Sequence, residues 1–162
     1  MDFKFNRHLP QHMTNIRDFM AQDHSHCDSV FERAERLAAA NDWDGAATAF
    51  AQFKALVRRH FDAEETLLFP AFEEQSGMRM GPTQVMRGEH VQMRGLMDAA
   101  SASLADKDGE DYAGYAETLL IMVQQHNLKE ENMLYPLCDQ QLRDQTGVLL
   151  SRLQEKLSGQ AT

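Results

Sequence analysis

The sequence predicts an all-α protein, an up-down-up-down four-helix bundle built from two duplicated helical hairpins with a short C-terminal helix. Three observations carry that prediction. Apolar residues recur at intervals of three and four along four long segments, and strand-like alternation is almost absent. Proline is confined to Pro10, Pro70, Pro82 and Pro136, so the long segments are mostly free of helix breakers. The second half of the chain also repeats the first at a fixed offset.

The first helix is expected to bury Met20, His24, Cys27, Phe31, Ala34 and Ala38 on one stripe. Residues 41–45, Asn-Asp-Trp-Asp-Gly, then read as a turn, with Asn41 or Asp42 as a helix cap and Trp43 closing one end of the bundle. The second stripe is Phe53, Leu56, His60, Glu64, Leu67 and Ala71, and its helix ends by Gly77. Gly77, Gly81 and Pro82 form the next connection, with Pro82 suited to the first turn of a helix. Met86, His90, Met93, Met97, Ala100 and Leu104 make the third stripe, and residues 106–110 the turn after it. Leu119, Met122, His126, Glu130, Met133 and Leu137 make the fourth. A fifth, shorter helix is expected near residues 144–158, packing on the end of the bundle or fraying. Residues 1–162 read as one domain, with half-sites at about 18–77 and 82–138.

The duplication is the most informative feature. His60-Phe-Asp-Ala-Glu64-Glu-Thr-Leu-Leu-Phe-Pro70 aligns without gaps on His126-Asn-Leu-Lys-Glu130-Glu-Asn-Met-Leu-Tyr-Pro136, an offset of 66 residues. The same offset carries His24 onto His90, and each of these lone histidines precedes its His-x-x-x-Glu by 36 residues. Positions i and i+4 share a helix face. His60 and Glu64 therefore project together, as do His126 and Glu130, inside otherwise apolar stripes. Four imidazoles and two carboxylates are thus expected at similar depth in the core.

Such groups are costly to bury unsatisfied. A lone core histidine is more often satisfied by a backbone carbonyl, and a single His-x-x-x-Glu is common as a surface pair. Six such residues related by one offset are poorly explained by either. Two divalent cations would satisfy all six, with Glu64 and Glu130 bridging and two terminal histidines on each ion. Nitrogen with carboxylate oxygen suits iron, manganese or zinc rather than calcium or magnesium. That ligand count leaves positions open for a small molecule such as dioxygen, nitric oxide or water.

Composition bounds the alternatives. A net charge of −9 without a basic stripe excludes nucleic acid as an expected partner. No segment approaches the roughly 20 apolar residues of a membrane-spanning helix. The N-terminus lacks a secretory pattern, which places the protein in the cytoplasm as an expectation. Two cysteines, Cys27 and Cys138, are too few for a disulfide framework.

The succession Asp23-His24, His60-x-x-x-Glu64, Glu89-His90 and His126-x-x-x-Glu130 resembles the hemerythrin-like HHE cation-binding family over nearly the whole chain. The resemblance implies a non-haem centre of two iron ions, with zinc or manganese as alternatives. It implies binding or sensing of dioxygen, nitric oxide, iron or redox state, and a binding protein rather than an enzyme. The alternatives are a redox enzyme, an iron–sulfur cluster repair factor responding to oxidative or nitrosative stress, or a zinc-stabilised interaction module. The chain departs from the oxygen carriers of that family. Arg94 stands where they have a fifth histidine, and Glu130 follows His126 by four residues where they place an aspartate five later.

Neighbouring residues have quieter expected roles. His26 could replace His24 or add a fifth nitrogen, but it lies about 200° around the helix from His24 and should face outward. Cys27 reads as a small buried hydrophobe or as a redox or supporting group beside His24, and Met93 should pack in the core. Glu65 and Glu131 read as a solvated face or as partners that orient a histidine. Phe69 and Tyr135 should pack, with a hydrogen-bonding or radical role open to Tyr135. His8 and His12 lie outside the repeat and read as surface residues.

Overall fold

The computed structural model describes residues 13–159, so the expectations for His8 and His12 lie outside the described residues. No strand occurs among the described residues, and the helices follow the predicted order. Helix α1 (Ile16–Ala39) and α2 (Trp43–Ala63) form the first hairpin; α4 (Pro82–Ala105) and α5 (Gly109–Lys129) form the second. Helix α2 runs on through a wide turn (Glu64–Leu68) into α3 (Phe69–Ser76), and α5 through a wide turn (Glu130–Leu134) into α6 (Tyr135–Gln141). A short 3₁₀ turn (Arg143–Gln145) leads into α7 (Thr146–Ser158).

The duplication extends to the turns. Asp42 and Asp108, 66 residues apart, cap α2 and α5 by accepting from the backbone N–H of Gly45 and Asp111, each at 3.0 Å. The residues before them, Asn41 and Lys107, take left-handed backbone conformations at φ 57° and 56°. One departure is steric: the Trp43 ring lies over Gly109, its counterpart in the repeat. A β-carbon there would sit 2.9 Å from the ring, so the indole closes this end of the bundle only over a glycine. Asn15 caps α1 by accepting from the N–H of Asp18 at 2.7 Å. Asp139 on α6 also accepts from the amides of Ile16 and Arg17, which ties the α1 N-terminus to the far end of the chain.

Upstream of the wide turns, Leu56 and Met122 are only partly buried, and Val57 takes a core position. The wide turns explain the larger departures from the expected stripes. In each, the N–H five residues on returns to the glutamate carbonyl, Phe69 to Glu64 and Tyr135 to Glu130. A proline follows each by one residue. Proline has no N–H and crowds the carbonyl four residues before it, and a turn with one extra residue relieves both faults. The extra residue advances the stripe by one. Leu67, Ala71 and Leu137 are therefore only half-buried and Met133 is 64% exposed, while Leu68, Phe72, Leu134 and Cys138 take the core positions.

Two apolar clusters result. One, built on Phe31, Phe50, Phe53, Met97 and Leu119, fills the bundle on the side of the hairpin turns. The other, built on Ile16, Met20, Leu68, Phe72, Leu134 and Leu142, fills the opposite end. The C-terminal helix α7 packs there through Leu149 and Leu153 rather than fraying. Between the clusters lies a polar layer.

Candidate metal centre

That layer holds all six predicted residues. His24 comes from α1, His60 from α2, His90 from α4 and His126 from α5, while Glu64 and Glu130 open the two wide turns. None is more than 6% exposed. Ligand atoms of Glu64, His90, His126 and Glu130 lie within 4.8 Å of one another, and so do those of His24, His60 and Glu130. Each carboxylate sits between histidines of different pairs. Glu130 Oε1 is 3.2 Å from Nε2 of both His24 and His126. Glu64 Oε1 is 3.5 Å from Nε2 of His60 and 3.3 Å from that of His90.

The histidines are oriented from behind. Each Nδ1–H donates to a carboxylate: His60 to Asp23 at 2.8 Å, His126 to Glu89 at 2.9 Å, His90 to Glu65 at 2.7 Å and His24 to Glu131 at 3.1 Å. A neutral ring held this way carries its Nε2 lone pair inward, where a cation would use it. Asp23 and Glu89 come from the facing helix of the same hairpin. Glu65 and Glu131 reach across to the other hairpin, so each half of the repeat orients a histidine of the other. Glu65 is in turn gripped by Arg94 at 3.0 and 3.2 Å, and Glu89 by Lys129. Arg94, at the place of the absent fifth histidine, thus positions a ligand's partner.

Charge follows from this packing. Burial and the adjacent Glu130 push the Glu64 carboxyl well above the usual range. Burial acts on Glu130 too, but Glu64 and the charge of His126, with His24 beside it, hold it well below. His24 rises to about 9, since Glu130 and Glu131 outweigh its burial, while burial outweighs Glu65 and lowers His90 to about 4. Burial and the two glutamates keep the Tyr135 phenol protonated.

The donor set fits a metal on an observation of its own. Glu64 Oε1, His90 Nε2, His126 Nε2 and Glu130 Oε2 are buried without a hydrogen-bond partner. Four polar atoms stranded together, each costing about 1–3 kcal/mol if left so, are what a cation would satisfy. On the turn side a narrow cavity of about 20 Å³ abuts His24 and His60, lined by Phe53, Val57, Phe61 and Met93 and, among polar groups, by Asp28 and Asn127. It has room for about one water-sized molecule.

The sequence reading assigned Asp23 and Glu89 no role, although an acidic residue precedes each lone histidine. Of the two roles read for Glu65 and Glu131, the structure shows the second, since each orients a histidine. Tyr135 could not be found from α-helical spacing, because only the wide turn brings a residue five after Glu130 back to the same side. His26 faces solvent, as its spacing indicates. Cys27 and Met93 are core residues, and burial pushes the Cys27 thiol far above its ordinary range.

A family model described as the hemerythrin HHE cation binding domain matches residues 15–138. Comparison with curated proteins and with solved structures returned no significant match. No helix among the described residues is long and apolar enough to cross a membrane.

Proposed function

Because the chain belongs to the hemerythrin HHE cation-binding domain family, we propose that its buried cluster holds two iron ions and binds or senses a small diatomic molecule, dioxygen or nitric oxide. The observation that carries this reading is the convergence of four inward Nε2 atoms and two carboxylates, four of whose atoms have no partner in the protein. His24 and His60 would hold one ion and His90 and His126 the other, with Glu64 and Glu130 between them. Iron bound there would supply a redox-active Lewis acid with room for an exogenous ligand. The carboxylates behind the rings hold the imidazoles in place and aimed. A small cavity beside His24 and His60, lined mostly by apolar groups together with Asp28 and Asn127, lies next to the cluster.

The test is spectroscopic. Iron-loaded, reduced protein should change its optical spectrum on exposure to dioxygen or nitric oxide and recover when the gas is removed. Steady turnover of an oxidant, or loss of iron to a recipient, would instead favour the enzyme or repair reading. Full occupancy by zinc in protein from its native source would overturn both.

A further inference from the structure

The repeat is broken at one position inside the cluster. Phe69 and Tyr135 are counterparts, both fully buried, and only the second carries an oxygen. That hydroxyl lies 2.9 Å from Glu64 Oε2, 3.0 Å from Glu130 Oε1, 3.2 Å from His60 Nε2 and 3.3 Å from His24 Nε2. With metal–ligand bonds of about 2.1 Å, neighbouring corners of an octahedron lie about 3 Å apart. The hydroxyl stands at that separation from four other donors. Two of those donors, His24 Nε2 and Glu130 Oε1, are themselves 3.2 Å apart, so the hydroxyl occupies a corner of the polyhedron rather than its centre.

The geometry points to Tyr135 as a seventh protein ligand, coordinating the ion held by His24 and His60, so that the two metal positions differ by one oxygen donor. On coordination the phenol gives its proton to solvent and its oxygen to the metal. In the metal-free protein the same hydroxyl satisfies one half of the cluster, which is why the orphaned atoms gather on the other half, around His90 and His126. There Phe69 stacks against His90 with ring centres 5.8 Å apart and offers no donor. The remaining tyrosine of the core, Tyr112, packs edge-on to Phe50 in the turn-side cluster.

This inference rests on the di-iron reading and has its own readout. Ferric wild-type protein should absorb in the visible through tyrosinate-to-iron charge transfer, and excitation into that band should enhance tyrosinate ring vibrations in the resonance Raman spectrum. Tyr135→Phe should lose both signals while still binding iron, and Phe69→Tyr should strengthen them. Wild-type protein carrying two irons without tyrosinate vibrations would overturn the proposal and leave the di-iron reading standing. Signals that persist in Tyr135→Phe would also overturn it. Wild-type protein that binds no iron would overturn the di-iron reading, and this inference with it.

Discussion

The two hairpins are copies in register, yet the cluster they build is lopsided. On the His24/His60 side both inward nitrogens meet the Tyr135 hydroxyl; on the His90/His126 side no hydroxyl stands among them and both nitrogens lack a hydrogen-bond partner. The supports differ as well. His90 is backed by Glu65 under a two-pronged Arg94 grip, whereas Glu131 behind His24 has Asp28, not arginine, at the equivalent place. Duplication supplies a symmetric ligand set, and a few side chains are enough to give the two positions separate chemistry.

The largest expected effect erases the comparison. Glu64 and Glu130 each touch donors of both pairs, so Glu64→Ala with Glu130→Ala should abolish most metal binding at both positions, read by metal analysis of reconstituted protein. Next comes the register of the wide turns. Leu68→Ala and Leu134→Ala should each cost about 2–5 kcal/mol in denaturant unfolding. Met133→Ala, on the outside, should stay within about 0.5 kcal/mol. Equal costs at positions 133 and 134 would break the claim that both turns carry the extra residue.

Those turns mark the limit of what the sequence made legible. The 66-residue offset exposed the hairpins, their order and all six inward residues, because i and i+4 spacing holds through α2 and α5 up to each glutamate. Beyond Glu64 and Glu130 the hydrogen-bond register changes, and no period of 3.6 can follow it. The stripe therefore slid onto Leu67 and Met133 instead of Leu68 and Leu134, and Tyr135 read as packing. Pro70 and Pro136 were the available clue, since each needs relief from an α-helical turn. Contacts across the hairpins, such as Glu65 with His90, depend on tertiary packing that no local pattern reports.

Weakening the supports sharpens the comparison further. Glu65→Gln and Glu131→Gln should each lower metal affinity about 10- to 100-fold. The loss at Glu65 should be the larger, because Arg94 would then lose its carboxylate partner. A smaller effect should be the same in both halves: Asp42→Ala and Asp108→Ala each remove a helix cap worth about 1 kcal/mol, measured by thermal unfolding. His26→Ala should change neither stability nor metal content.

Binding of two ions is read by anaerobic titration of metal-free protein with ferrous iron, followed by separation of bound from free metal. Saturation at two ions per chain is expected. Saturation at one ion, or no binding, would rule out the paired site.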